Sequence, residues 1–576
     1  MMVANSAQEY LFTAGILIAF VGMIAAAAWG RRDIVEIFKK EGIRKVHVAA
    51  ALLIVLVFIS VELSVVKPTQ QLFFDDAIYQ AMAQQMLHSG QAWMCDYGTP
   101  SACYMGEIFH EPIGTSFNLA IGFAVFGVDR GAAYGMELFL SAVAVLSTFF
   151  AAVLLFKDKV AALFSELLLG LSPALLVWAQ PTTSDIPMLA YFMVAVLFML
   201  IFRERKNVKT LAMFAFSIAT ATYMKVDALA FMLVVVLMYL VLDDSSIRAS
   251  LANNARRVKD GLLDTRVLVL FLLFVLAVAP EALFTFNEFT GGNFGYQGSY
   301  IQNSCGTGSA PATGNFNLQN FGYNLCENVL FWFNQYGSVY IMQPILFTAL
   351  AIIGAAMMAF GMRRALLAVG MWFLIFFFIY TAFYGGGVTF GVDWRFMLSM
   401  VAQASLFGGF ACSTIISSIG RRGEHGAGIG SAAGKRRIAA AAALVVLIGY
   451  SIIMLLPELG VSPSSIPQAG DARFYENFVY NSSYLIPNSC AVFTYDPTLF
   501  NINNKSALQM SYAYDPQQVQ LVQQNYSCMV ADWGYWCYTP NNLCANLNQS
   551  YNLIPIATAN YTQLNKRFGF YYMQKK

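Results

Sequence analysis

The chain has 576 residues, of which 58% are hydrophobic and only 11% charged, with a mean hydropathy of +0.58 and a formal net charge of +2. A soluble domain carries about a quarter charged residues, so this composition marks a polytopic membrane protein. A net charge so near neutral, with no block of like charge, excludes nucleic acid as a partner.

Runs of about 17 to 25 apolar residues lie near 10–30, 47–66, 132–156, 160–179, 186–202, 209–223, 228–242, 266–285, 341–360, 365–384, 394–419 and 437–457. They predict an all-α polytopic membrane protein of about twelve transmembrane helices. The first run has no basic segment before it and no small-residue cleavage site after it, which is the pattern of a retained helix rather than a signal peptide. The run Phe117 to Val128 is too short to cross and reads as an interfacial helix.

Orientation follows from Lys and Arg in the short loops. The segments 31–45, 203–209, 256–259, 363–364 and 421–437 hold most of them and fall on alternate turns, which assigns that side to the cytoplasm. Asn287 to Gln343, on the other side, contains no cation. Both termini are then expected outside. The cysteines test this assignment: Cys412 falls in a helix, while Cys95, Cys103, Cys305, Cys326, Cys490, Cys528, Cys537 and Cys544 all fall in outer segments, as an oxidising compartment predicts. Because each outer segment holds an even number, Cys95 is expected to pair with Cys103, Cys305 with Cys326, and the four tail cysteines among themselves. Asn481, Asn504, Asn525, Asn548 and Asn560 open Asn-x-Ser/Thr sequons, also in the tail.

From about Leu459 the composition turns to Asn, Gln, Tyr and Ser. Residues 1–458 are therefore expected to form a transmembrane catalytic domain with outer loops 67–131 and 286–340, and residues 459–576 a small extracytoplasmic α/β domain. Strand-like runs there include CAVFTY and LIPIATA.

Ionisable groups beside a membrane are costly and are candidates for function. Those expected at the outer face are Asp75, Asp76, His110, Glu111, Asp129, Arg130, Asp185, Lys225, Asp227, Asp393 and Arg395, with Glu62, Lys67, Asp96 and Glu107 besides. Asp75 and Asp76 can cap the helix AIYQAMAQQML, or one carboxylate can face a cavity while its neighbour, about 100° round the helix, orients it. Ser184 or Asp185 is expected to cap the helix that Pro187 opens, and Lys225 reads as an ion pair with Asp227. No metal-ligand spacing is present, and GGGVTFG (385–391) lacks the GK[ST] of a P-loop.

The order of these motifs resembles the GT-C membrane glycosyltransferases, in the branch of the protein O-mannosyltransferases and aminoarabinose transferases. FFDDAIY resembles their acidic pair and following Tyr, with Asp75, Asp76 and Tyr79. HEPIGTSFNLAIGFAVFG, TTSDIPMLAYFMVAVLF, MKVDALAF and DWRFMLSMVAQASL resemble later family motifs in the family order, over roughly residues 47 to 420. The family's Arg just inside the helix after the short helix is missing, with Gly135 and Met136 near its place, so Arg130, Lys225 or Arg395 must serve instead.

The resemblance implies a donor sugar linked to polyprenyl or dolichyl phosphate. It implies an acceptor that is a protein, a lipid or a glycan, and contact with the lipid bilayer throughout. Asp75 is expected as the general base, Asp76 as its catalytic neighbour, and Tyr79, Glu111, Asp185, Asp227 and Asp393 around the substrate. Arg395, Lys225, His110 and Arg130 are expected to hold the donor phosphate. Phosphate is a good leaving group, so no metal and no cofactor is called for, and one displacement inverts the anomeric centre. Two alternatives stand beside this reading. An oligosaccharyltransferase carries a Trp-Trp-Asp-x-Gly signature, which ADWGYW has in the wrong order, and a transporter needs polar groups spread through the bilayer depth.

Overall fold

The computed structural model describes residues 6–65, 75–99, 102–107, 112–225, 228–243, 265–291, 318–333, 343–382, 394–421, 432–454, 467–538, 544–562 and 565–576. In chain order the helices of the membrane part are α1 (Ser6–Lys40), α2 (Lys45–Val65), α3 (Asp75–Ser89), α4 (Gly114–Phe126), α5 (Arg130–Phe156), α6 (Lys159–Gly170), α7 (Pro173–Trp178) and α8 (Asp185–Glu204). They continue as α9 (Val208–Thr222), α10 (Ala228–Leu242), α11 (Thr265–Gly291), α12 (Leu318–Phe331), α13 (Ile345–Gly361), α14 (Arg363–Ala382), α15 (Leu398–Arg421) and α16 (Ala432–Ile453). Among the described residues eight helices are long and apolar enough to cross a membrane, and four shorter apolar helices accompany them. The chain is an integral membrane protein.

Most expected spans appear as single helices. The run 160–179 does not: α6 stops at Gly170 and α7 restarts at Pro173, whose ring cannot donate into a continuing helix but suits a first turn. Ser172, at the break, donates its hydroxyl to Gln343 at 3.0 Å. The helix α4 is the expected short one; residues 114–119 are buried, while Val125 and Phe126 are exposed.

Two glycines set the closest helix crossings. A Cβ at Gly354 of α13 would lie 1.8 Å from the carbonyl oxygen of Phe407 in α15, and one at Gly409 of α15 would lie 2.1 Å from Ser165 Oγ in α6. Small residues let these backbones approach where lipid gives no hydrophobic drive. At the end of the bundle away from the C-terminal domain, ion pairs tie the helices together. Lys157 pairs with Glu41 and Glu204, both at 2.8 Å, Arg205 with Asp33 at 2.6 Å and with Glu36, and Lys206 with Asp243 at 3.0 Å.

The C-terminal domain begins with α17 (Pro467–Ser482) and continues with β3 (Cys490–Thr494), α18 (Pro497–Asn501), β4 (Ser506–Gln509), α19 (Pro516–Asn525), β5 (Cys528–Trp533), α20 (Ala545–Ser550), β6 (Tyr551–Tyr561) and β7 (Lys566–Lys575). Among the described residues, and counting β1 (Met94–Thr99) and β2 (Ala102–Glu107), its sheet has seven strands in the order β2-β1-β4-β3-β5-β7-β6. The central trio β4, β3 and β5 is parallel, and β3 (CAVFT) is buried at every position, as a strand covered on both faces must be. The first two strands come from elsewhere. β1 (Met94–Thr99) and β2 (Ala102–Glu107) form a hairpin in the loop between α3 and α4, and β1 pairs antiparallel with β4 through Tyr97↔Leu508 and Gly98↔Ala507.

Three disulfides lie in this region: Cys95–Cys103 across the hairpin, Cys490–Cys528 between adjacent strands, and Cys537–Cys544. They match the expected pairings, and Cys412 is free and buried. Cys305 lies outside the described residues, as does the side chain of Cys326.

Beside β3 and β5, two carboxyls are buried. Asp532 accepts hydrogen bonds from Tyr475 Oη and, at 2.7 Å, from Thr494 Oγ1. Asp496 accepts from Thr498 Oγ1 at 2.6 Å and from the Leu499 amide at 3.1 Å. Burial outweighs these bonds and pushes Asp532 up from 3.8 to about 7 and Asp496 up from 3.8 to about 6. The folded domain therefore keeps both protons at pH values where the unfolded chain has released them. Its stability is full below the unfolded value and declines as pH rises from about 4 towards about 7. Replacing Asp532 by Asn keeps a hydrogen-bond acceptor and abolishes the titration. Thermal unfolding of the purified protein should show Asp532→Asn gaining more over wild type at pH 8 than at pH 5; an equal difference at both would mean that this carboxyl does not titrate in the window.

Candidate active site

The centre of the site is the stretch Gln180–Asp185 (QPTTSD), which joins α7 to α8 and is buried at all six positions. Polar groups buried in a membrane bundle demand partners, and three segments supply them. Gln180 Nε2 donates to Glu62 Oε1 of α2 at 2.9 Å. Gln80 Nε2 of α3 donates to Thr182 Oγ1 at 3.3 Å. Lys225 Nζ, just beyond α9, donates to Asp185 Oδ1 at 2.6 Å, and both side chains are buried.

Lys225 is held in place from two further sides. Its Nζ lies 4.6 Å from the ring centre of Phe396 and 5.4 Å from that of Tyr380, distances at which an aromatic face attracts a cation. The Gly114 amide donates to Tyr223 O at 2.7 Å, and a Cβ there would fall 2.3 Å from the same oxygen. Glycine at the start of α4 is therefore what lets the 223–225 segment lie this close. Asn118, one turn on, bonds back to Gly114 O at 2.8 Å and accepts from Tyr191 Oη of α8 at 2.7 Å.

On α3 the side chains of Asp76 and Tyr79 are buried. Glu137 of α5 is buried within electrostatic reach of both Asp76 and Asp185, and neither of its carboxylate oxygens has a hydrogen-bond partner. Asp76, Glu137 and Asp185 therefore converge from three helices, with Lys225 paired to Asp185.

Several expectations change in detail. Asp185 does not act as a cap: Ser184 occupies the cap position without a side-chain bond, and the Asp185 carboxylate reaches across to Lys225 instead. Lys225 thus finds its carboxylate 40 residues upstream; Asp227 lies outside the described residues, with His110, Glu111 and Asp393. Asp75 is the first residue of α3, and Arg395 lies in the 3-10 turn Trp394–Met397 beside Phe396; the side chains of both lie outside the described set. Arg130, at the start of α5, faces the C-terminal domain. Its Nη1 donates to Asn477 Oδ1 at 3.4 Å, and its guanidinium lies 4.9 Å from the ring centre of Tyr480. Glu137, Gln80 and Thr182 were not singled out in the sequence. The available signal was a lone Glu in an apolar helix, and for the others there was none.

The family model described as dolichyl-phosphate-mannose-protein mannosyltransferase matches residues 110–278. No curated protein sequence matches the chain. Among solved structures the chain is similar to ArnT from Cupriavidus metallidurans bound to undecaprenyl phosphate, with 16% identity and a TM-score of 0.52 over 90% of this chain and 97% of that one. It is similar also to the oligosaccharyltransferase of Archaeoglobus fulgidus in its apo form, with 12% identity and a TM-score of 0.51 over 92% of this chain and 74% of that one. The oligosaccharyltransferase AglB of the same organism, in complex with an inhibitory peptide and a dolichol-phosphate, has 12% identity and a TM-score of 0.50 over the same shares. The fold is therefore the expected one.

The buried pair makes a direct prediction. Lys225→Met leaves Asp185 buried without this ammonium and should destabilise the protein by about 3–5 kcal/mol. The double variant Lys225→Met/Asp185→Asn should recover more than half of the loss in a melting curve. A double variant as unstable as the single would show that the pair does not hold this segment.

Proposed function

We propose that this chain is a membrane glycosyltransferase of the GT-C superfamily, which moves a sugar from a polyprenyl- or dolichyl-phosphate donor to an acceptor hydroxyl at the extracytoplasmic face. The observation that carries this reading is the convergence of Asp76 on α3 and the Asp185–Lys225 pair at the end of the bundle that bears the C-terminal domain. Similar structures hold undecaprenyl phosphate or a dolichol-phosphate, ligands with a tail for the bilayer and an anion for a cation at its surface. Three disulfides in the C-terminal domain and its hairpin support an oxidising compartment on that side.

In the proposed step the acceptor oxygen attacks the anomeric carbon and its proton passes to a carboxylate. The bond from the anomeric carbon to the phosphate oxygen breaks, and its electron pair leaves with the lipid phosphate. Asp75 is the proposed base, with Asp76 and Tyr79 fixing the start of α3. The charge that grows on the departing phosphate calls for preorganised cations, and Lys225, Arg395 and His110 are the proposed ones. Glu111, Asp227 and Asp393 are the residues proposed to recognise the sugar. A single displacement inverts the anomeric centre and runs without a metal.

Asp75→Asn preserves size but cannot accept the proton, so transfer from a synthetic polyprenyl-phosphate mannose should fall by about 10²-fold or more while the melting temperature holds. Asp76→Asn should cost less activity. Early melting of Asp75→Asn at an undiminished transfer rate would make the acidic pair structural and sink the mechanism.

A further inference from the structure

Between α3 and the C-terminal domain lies a cavity of about 510 Å³, within the range of small-ligand sites, roughly 300–1,000 Å³. We propose that it seats a carbohydrate acceptor, whose hydroxyl is presented to the start of α3. The proposal rests on the reading of the chain as a glycosyltransferase and assigns that enzyme its acceptor class.

Position is the first argument. Gln80 and Gln84 line the cavity and follow Asp76 at successive helical turns, and residues one turn apart on a helix stand about 5–6 Å from one another. The cavity floor thus lies one helical turn from Asp76, and Gln80 joins it to Thr182 in the buried centre.

Chemistry is the second. Three lining amides donate to the protein: Gln80 to Thr182 Oγ1, Gln84 to Ile502 O at 3.1 Å and Asn503 to Leu499 O at 2.8 Å. None of their carbonyl oxygens accepts a bond among the described residues, so each is available to a ligand O–H. The charges, by contrast, are mostly engaged, Arg130 Nε alone among the lining residues being buried without a hydrogen-bond partner. Lys505 Nζ is taken by Ile486 O at 2.7 Å and Asn488 Oδ1 at 2.6 Å, and Arg130 stacks on Tyr480 beside Asp129. That balance suits a neutral polyol better than a phosphate. Tyr484, 72% exposed, adds an aromatic face at the rim on which the C–H face of a pyranose can lie.

An extended peptide fits less well. Its common mode of capture is to add a strand to a free sheet edge, and the edge strands here, β2 and β6, contribute no residue to the lining.

Because Tyr484 is exposed, changing it should spare folding. A Tyr484→Cys variant of the full chain, in which Cys412 is buried, is labelled with a maleimide in the presence of maltose, lactose or mannobiose, of an acetylated Ser/Thr peptide, or of inorganic phosphate. We expect at least one disaccharide to slow labelling several-fold and the peptide and phosphate to leave it unchanged. In transfer assays Tyr484→Ala should raise the acceptor KM about tenfold with kcat held. Protection by the peptide alone, by phosphate alone or by nothing overturns the proposal, as does an unchanged KM. Donor cleavage by the wild-type chain is scored separately. Turnover without saccharide protection removes the cavity and leaves the glycosyltransferase reading standing. Protection without turnover removes that reading and leaves a saccharide site.

Discussion

A run of six buried residues, Gln180–Asp185, five of them with polar side chains, is the constraint on which the bundle depends. In a membrane interior each such group costs roughly 1–3 kcal/mol if left unpaired, and a carboxylate stripped of its cation costs more. Gln180, Thr182 and Asp185 find their partners only when Glu62 of α2, Gln80 of α3 and Lys225 beyond α9 are present together. Folding the helices and assembling the site are therefore one event. The same requirement explains why α6 and α7 are separate: the chain must leave the helical ladder at Ser172–Pro173 to bring this stretch back among its partners.

The hairpin β1–β2 extends the argument to the C-terminal domain. It departs from the end of α3 and joins a sheet whose other strands lie some 400 residues later, closed by Cys95–Cys103. Asn501 Nδ2 donates to Cys95 O at 2.8 Å, and Gln84 of α3 to Ile502 O. The two parts of the chain thus share a sheet and a helix, and α3 is fixed from both sides. The boundary expected at 458/459 marks a change of composition; the sheet itself crosses it.

What was legible in the sequence was what local pattern dictates. Apolar runs placed the helices, the even distribution of cysteines foretold the pairings within the described part, and isolated charges such as Asp76, Asp185 and Lys225 stood out against an apolar background. Partners were not legible, because they are set by packing between distant segments. Lys225 read as the neighbour of Asp227, yet the described structure pairs it with Asp185. Asp185 read as a helix cap from its local context, and the lysine across the bundle outweighed that. The strands Met94–Thr99 and Ala102–Glu107 carry no strong alternation, so they were read as loop until the edge of β4 gave them a partner. Glu137 offered one signal, a carboxyl in the middle of a hydrophobic helix, and only the approach of α3 and α8 shows why it is there.

The geometry of α3 draws these threads into one mechanical statement. Asp76, Gln80 and Gln84 recur every fourth residue and so form one row along the helix. The first lies buried near Glu137, the second bonds the polar run, and the third bonds the C-terminal domain. A rigid helix transmits displacement along its axis with little loss, so a shift of the C-terminal domain at Ile502 must move the carboxylate end as well. The spacing between the cavity and the acidic pair is thereby set by helix pitch, not by a flexible loop, and the ends of the row are held by two different parts of the fold. Any acceptor that binds against Gln84 is measured against a fixed ruler whose other end is Asp76.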